Sequence, residues 1–587
     1  MALLIHLYLV LFSSVAHAGS DKMNLDALIN HLRSSSGNVI QPNASQISQC
    51  SKKDCAKWTS EHFGKSDYWD VAGGNLDDSQ VQQLFEVHWD PSAHGNQSFL
   101  DHEEQQYSSY EWRSSDLRYT LPFTLYGWTN LDHPPLRSVN ENLADIHPML
   151  GAIDRSSDHR FYDADFQHSL DQLSQTELTA GNVLSLLPNT NSYQQKLALI
   201  KATKHHLWVT SMVFFCDDSS GKLIDAMKER IQNGVEVRLI VEGVWSRIAL
   251  NGCIARMRDV GIDVLIMNES LQIKNPANIT HNKFWIRDGE EAIVGGQNIM
   301  DAENLSTGFN AEGYRDTDAW VHSGPITTEL EQKFAFIWEK NRKKANKPMG
   351  DHLVDIQNKL YQEALAGQRG EAVYTALSDP SRRSHGFCRL VSQEPGASEQ
   401  AISPVLAALA DASSSLVIAT TPRVAYKEGK SDYKSPKLVY DALINAGNRG
   451  VRVDVVTNGS DGFGGTLTKI FRTEADKARS KGQHLIERGF MDVADDLGRA
   501  NYATSMKDFL NFSAQSQNIH PWTYFRFAHQ KVHLFDRRMV GIGSFNLDTY
   551  SSKGNRETEL LCMDEDLISQ AERQLAQDIS NSIPVRK

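Results

Sequence analysis

From Leu184 onward the chain alternates two hydrophobic textures. Tyr193 to His205 carries apolar positions at helical spacing, and Leu207 to Phe215 is a near-continuous apolar run of strand length. Gly221 to Gly234 sets Leu223, Met227 and Ile231 on one helical face, and Val235 to Val241 (VEVRLIV) is again extended. The same order recurs later, with Ile402 to Ala412 helical, Leu416 to Thr421 extended, Lys437 to Ala446 helical and Val451 to Val456 (VRVDVV) extended. Asn233-Gly234-Val235-Glu236-Val237-Arg238 is answered by Arg449-Gly450-Val451-Arg452-Val453-Asp454. Strands alternating with helices, and repeated, predict an α/β fold of two similar halves, each a largely parallel sheet flanked by helices.

These patterns divide the chain into a first half over residues 185–345, a connector over 346–385 and a second half over 386–587. The Lys-rich stretch Lys340 to Lys347 and the polar helix after it lead into the connector. The halves differ by one insertion, since Gly234 to His281 spans 47 residues and Gly450 to His529 spans 79. The extra length is assigned to residues 460–523. That segment opens on Gly462, Gly464 and Gly465 and mixes Phe490, Met491, Phe509, Leu510 and Phe512 with charge. A glycine hinge and an apolar, charge-flecked body are the pattern of a lid over a lipid pocket.

Upstream, residues 19–184 are polar and weakly periodic, hold 9 of the 21 histidines and scatter Trp69, Trp89, Trp112 and Trp128. No fold is assigned to them, and surface histidines on a capping region explain them better than a metal site. Before them, Leu3 to Phe12 is an apolar run too short to span a bilayer, followed by the small-x-small sequence Ala16-His17-Ala18. Residues 1–18 are therefore expected to be a signal peptide, and the mature protein periplasmic or secreted. Of six cysteines, Cys50 and Cys55 are the best disulfide pair, whereas Cys216 and Cys562 end apolar runs and are expected as small buried hydrophobes. No spacing of Cys and His suits zinc. The net charge of −13 disfavours nucleic acid as a partner, because affinity for polyanions comes from Lys and Arg.

Each half ends in one constellation. The first is His281-Asn282-Lys283, Asp288, then Gly295-Gly296-Gln297-Asn298; the second is His529-Gln530-Lys531, Asp536, then Gly543-Ser544-Phe545-Asn546. All gaps agree. Alternation along a strand turns each histidine and its lysine to one side. Two such sets face to face would offer two imidazoles, two cations and two amides. Lys283, Lys531, Asn298 and Asn546 suit the nonbridging oxygens of a phosphodiester, while one imidazole attacks and the other protonates the leaving oxygen. Asp288 and Asp536 are expected to hold the motif turns.

The doubled His-x-Lys-x₄-Asp pattern resembles the phospholipase D superfamily. The run Gly295 to Pro325 looks like the branch holding bacterial phospholipases D and cardiolipin synthases. The resemblance implies two α/β halves sharing one active site and a chemical step without metal or cofactor. It also implies nucleophilic attack by His281 through a phosphohistidine, and general acid then base catalysis by His529. In that branch an acid of the Arg-Asp segment orients the nucleophilic histidine, which here is Asp316 with Asp318 second. Glu557, in Asn555-Arg556-Glu557, is assigned to His529. Cardiolipin synthases usually carry Asn-Leu-Asp-x-Arg-Ser after the second motif, and this chain has Tyr550 in place of the Arg. The leading expectation is an exported phosphodiesterase hydrolysing or exchanging phospholipid head groups at a membrane surface, with water or an alcohol as acceptor. Cardiolipin synthase-like transfer, a secreted nuclease and a lipid-binding module without catalysis are the alternatives.

Overall fold

A computed structural model describes residues 160–584, apart from 244–252, 269–278, 307–312, 342–346, 380–385, 395–400, 427–436, 459–507, 525–526 and 554. The amino-terminal run, Cys50 and Cys55, the tryptophans named above and the glycine-rich opening of the insertion lie outside the described residues.

The first sheet is built from β1 (Val183–Pro188), β2 (His206–Ser211), β3 (Glu236–Glu242), β4 (Asp263–Met267), β5 (Phe284–Arg287) and β6 (Glu291–Gly295), and from β8 (Thr317–Ser323) after the short β7 (Tyr314–Arg315). Its order is β1-β8-β6-β5-β2-β3-β4. The second contains β9 (Phe387–Gln393), β10 (Leu416–Thr421), β11 (Arg452–Asn458) and β12 (Ile519–Tyr524). After the short β13 (Phe527–Ala528) come β14 (Val532–Phe535), β15 (Met539–Gly543), β16 (Glu557–Met563) and β17 (Ser582–Pro584). Read from its β9 edge, the order is β9-β16-β15-β14-β10-β11-β12-β17, so the first seven strands repeat the first sheet one for one.

Both sheets are mixed. β2, β3 and β4 run parallel, as do β10, β11 and β12, because helices cross over between them. The strands following each motif join antiparallel, because turns of a few residues link β5 to β6 and β14 to β15. Helices cover both faces of the first sheet. Leu207 and Val209 pack with Leu223, Ile224 and Met227 of the helix Asp218–Gln232, while Trp208 between them joins Phe334 and Trp338 of the helix Pro325–Lys340. Burial on both faces explains the uninterrupted apolar run of β2.

From the polar region upstream, the helix Ala164–Ser174 is described, with Asp163 accepting the Asp165 backbone N–H at its start. It packs on the second half, where buried Arg389 pairs with Asp171 and donates to the Gln167 carbonyl. Two helices, His352–Leu365 and Glu371–Leu377, occupy the connector.

The insertion is shorter than its assignment. Residues 519–523 belong to β12, the counterpart of β4, and residues 508–513 are helical. Phe509 and Phe512 are fully buried in the core, with the Phe512 ring 5.1 Å from that of Tyr440, so they are not lid residues.

Cys216 and Cys562 also depart from expectation. Cys216 is exposed and disulfide-bonded to Cys253, tying the loop after β2 to the helix Cys253–Asp259. Cys562 is buried but bonded to Cys388, opposite it on the paired strands β16 and β9. Partners 174 residues apart meet only through strand pairing, which spacing along the chain does not reveal. The double variant Cys388→Ser/Cys562→Ser is expected to lose about 2–5 kcal/mol of unfolding free energy, because the open chain regains loop entropy. Thermal denaturation equal to the parent's would count against the bond.

Candidate active site

The two motifs are held together by the polypeptide backbone. Thr280 bridges Arg556, and the His281 N–H donates to the Arg556 carbonyl at 2.9 Å. In the mirror arrangement β13 pairs with β7, and the N–H groups of His529 and Gln530 donate to the Arg315 carbonyl at 2.8 and 3.0 Å. Each histidine is thus pinned beside the acid-bearing segment of the opposite half.

The carboxylates follow, and their pairing is crossed relative to the expectation. His281 Nδ1 lies 2.7 Å from Glu557 Oε2, and His529 Nδ1 lies 2.6 Å from Asp316 Oδ2. Asp316 therefore does not orient His281, nor Glu557 His529. The reason is geometric: β8 and β16 begin where the halves meet, and each delivers its acid across the junction. Asp318 turns away into an ion pair with buried Lys196 at 2.9 Å and accepts from Ser192 at 2.5 Å.

Both lysines are buried beside their histidines. Lys283 Nζ donates to the His281 carbonyl at 2.6 Å. Lys531 Nζ donates to the His529 carbonyl and stands 3.1 Å from both ring nitrogens. Among the described residues neither ammonium makes an ion pair. Burial and the charge of Lys531 bring Lys283 down to about 7, and burial also lowers Lys531. Two lysines buried side by side favour an entering anion, whose charge would offset the burial and mutual repulsion that lower them.

Burial likewise holds His281 at about 4 against the pull of Glu557, and His529 at about 3 against that of Asp316. Both imidazoles are neutral in the free site. Asp316 and Glu557 would be raised by burial, but the adjacent histidines and lysines more than offset it and both stay low.

Asn298 and Asn546 occupy equivalent turns. Asn298 donates its side-chain amide to Glu303 at 2.9 Å, and Asn546 takes Ser551 Oγ as backbone partner at 3.1 Å. The side-chain oxygens of both are buried without a hydrogen-bond partner. The motif glycines allow these turns to approach the acid strands: a Cβ on Gly296 would collide with Asp316, and one on Gly543 with Glu559. Asp288 accepts backbone N–H groups of Lys204, His205 and His206 at 2.7–2.9 Å, and Asp536 those of Ser414, Ser415 and Leu416 at 2.7–2.8 Å. Each ties its motif turn to the chain entering the neighbouring strand.

Several participants carry no motif signal. Ser544 and Ser551 donate to the two oxygens of Glu557, each at 2.6 Å. Arg315 pairs with Asp578 of the helix Glu565–Ser580 at 2.8 Å, locking the halves together. Glu303, fully buried, approaches His529 Nδ1 to 3.8 Å. Only the repeat could have located it, as the fifth residue past Asn298 where Ser551 is the fifth past Asn546. Glu303, Asp316 and His529 bring donor atoms within 4.8 Å of one another, close enough for one ion to reach all three. The Lys531 ammonium against the same imidazole opposes a divalent cation there.

Two repeated α/β units with one His-Lys-carboxylate centre at their junction have the layout of a phospholipase D-type enzyme. The chain belongs to the phospholipase D superfamily, in its cardiolipin synthase branch: the family model described as "Cardiolipin synthase, PLD-like domain" matches residues 197–338 and 405–579, more than half of the chain. It is 23% identical to cardiolipin synthase A of Pseudomonas aeruginosa over 421 residues, 71% of this chain and 70% of that one. Cardiolipin synthase 1 of Staphylococcus epidermidis is 22% identical over 69% of each chain. A cardiolipin synthase of Oceanobacillus iheyensis is 24% identical over a third of this chain and 39% of its own length. Among solved structures, phosphatidylserine synthase of Haemophilus influenzae is 12% identical, with a TM-score of 0.47 over 71% of this chain and 91% of that one.

Proposed function

We propose that the protein transfers a phosphatidyl group between lipid alcohols through a phosphohistidine, as the name of its cardiolipin synthase relatives suggests. The observation that carries the reading is the pair of crossed histidine–carboxylate contacts around two buried lysines that each donate to the carbonyl of the motif histidine. His281 carries a proton on Nδ1, held by Glu557, and attacks phosphorus through Nε2; the N–P bond forms as the P–O bond to the first alcohol breaks. His529 gives that oxygen a proton, then takes one from the incoming alcohol, whose oxygen displaces His281. Lys283 and Lys531, with the amides of Asn298 and Asn546, are assigned to the nonbridging oxygens.

Transfer replaces hydrolysis as the leading reading, supported by the family match. Tyr550 lies exposed at the start of the helix Thr549–Lys553, where cardiolipin synthases usually carry Arg. Export is part of the proposal: two disulfides are at home in an oxidising compartment and support the reading of residues 1–18 as a signal peptide. Among the described residues no helix is long and apolar enough to cross a membrane.

Vesicles of phosphatidylglycerol are the direct test. Cardiolipin and glycerol should appear together, undiminished by excess chelator, because the lysines supply the positive charge the phosphate requires. Phosphatidic acid as the sole product would make the enzyme a hydrolase. Inactivity on lipid with nicking of plasmid DNA would make it a nuclease, and loss of transfer restored only by a divalent ion would overturn the metal-free step.

A further inference from the structure

Alternation along the extended segments that carry the reacting groups turns a second set of side chains the same way. Phe527 stands two residues before His529 and Tyr314 two before Asp316, so both share the face on which that histidine meets its acid. Pairing of β7 with β13 sets Tyr314 opposite Phe527, and their rings stack at 4.0 Å, each 6.1 Å from the His529 ring. The loop after β2 closes the group, because Phe215 donates its N–H to the Ile299 carbonyl and Ile299 donates its own to that of Val213, at 2.8 and 3.0 Å. Met212, Phe215, Met300, Tyr314 and Phe527 thereby gather into an apolar cluster apart from both sheet cores. Met212, Phe215 and Phe527 are only half-buried, which leaves the cluster an open edge beside His529.

The repeat gives His281 different neighbours. Ser211 donates to the Val213 carbonyl at 2.7 Å as Thr421 does to that of Arg423 at 3.0 Å, so Arg423 takes the place of Val213. Asp548, two residues past Asn546, answers Met300, two past Asn298, and Asn555 answers Tyr314. A guanidinium, a carboxyl and an amide thus stand where the His529 side has aliphatic and aromatic carbon.

We propose, resting on the phosphohistidine reading, that the cluster beside His529 is the acceptor subsite, which seats the carbon skeleton of a primary alcohol with an alkyl body. The departing and the entering alcohol occupy one place, opposite His281 across phosphorus, and His529 handles the proton of each there. When the acceptor enters, its O–P bond forms as the N–P bond to His281 breaks, and its proton passes to His529. Carbon held against the cluster raises the effective concentration of the attached hydroxyl, by about fourfold for each methylene fully buried. Water has no carbon to bury and gains nothing.

The test follows the fate of one phosphoenzyme. A nitrophenyl phosphodiester serves as donor, and methanol, ethanol, propanol and butanol serve in turn as acceptors at equal concentration. The alkyl diester and the hydrolysis product are each counted per nitrophenol released, so a loss of folded enzyme lowers both alike. In the parent the ratio of transfer to hydrolysis should rise about ten- to fiftyfold from methanol to butanol. In Phe215→Ala/Phe527→Ala the rise should shrink to about threefold or less. Alanine already stands at the place corresponding to Phe215, as Ala425, so the fold accepts the smaller side chain there. Arg423→Ala, on the other side, should keep the rise of the parent. A parent that transfers to every alcohol without a rise overturns the inference and leaves the phosphohistidine reading standing. An equal rise in parent and double variant, or a rise that Arg423→Ala flattens as much, does the same. Hydrolysis alone with every alcohol, or no release of nitrophenol, overturns the transfer reading and the inference with it.

Discussion

His281→Ala is expected to remove turnover on every phosphodiester, whereas His529→Ala is expected to retain part of it when the leaving group is activated. Without His281 no N–P bond forms, and an easier departure of the other oxygen cannot supply the missing nucleophile. Without His529 the leaving oxygen departs as an anion, which costs an alkoxide about two to four orders of magnitude in rate and a nitrophenolate much less. Turnover of a nitrophenyl and an alkyl diester by both variants separates the roles. Rescue of His281→Ala rather than His529→Ala would exchange them.

The crossed carboxylates give the second large effect. Glu557→Gln should behave like a damaged nucleophile, slowing activated and unactivated substrates alike, because an amide no longer holds the His281 Nδ1 proton as a carboxylate does. Asp316→Asn should resemble His529→Ala, with its loss concentrated on poor leaving groups. Each is expected to cost about two to four orders of magnitude, as elsewhere when a histidine loses its orienting acid. The pairing taken from family resemblance predicts the opposite sorting, so one set of four rate constants decides between them. Rapid quenching on a nitrophenyl diester adds a check: phosphoenzyme should accumulate in Asp316→Asn and not in Glu557→Gln.

Much of the site was legible in the chain because its spacing is local. His281 and Lys283 share a side through alternation along an extended segment, and Asp288 follows at the turn between β5 and β6, so the interval from His to Asp records one strand. The repetition of these intervals, and of helix–strand order on either side, reflects short-range backbone geometry that similar sequence imposes twice. Phe509 and Phe512 were misread for a related reason. Apolar residues among charges look the same on a lid and on a helix that buries one face, and only the packing against Tyr440 distinguishes the two.

By itself the sequence determined the two halves, the parallel core of each sheet, the four motif residues His281, Lys283, His529 and Lys531, and the turn acids Asp288 and Asp536. Hydrophobic period and local hydrogen bonding are enough to specify those. The tertiary structure alone decided that Asp316 serves His529 and Glu557 serves His281, that Cys388 meets Cys562, and that Glu303 stands behind one histidine where Ser551 stands behind Glu557. Cys388 and Cys562 meet through the pairing of β9 with β16 inside the second sheet, whereas the carboxylate pairings and the place of Glu303 depend on how two separately patterned sheets dock, through the backbone bonds of Thr280 to Arg556 and of His529 to Arg315. Docking brings together residues more than two hundred positions apart, and no periodicity along the chain records which of two like acids will face which of two like histidines.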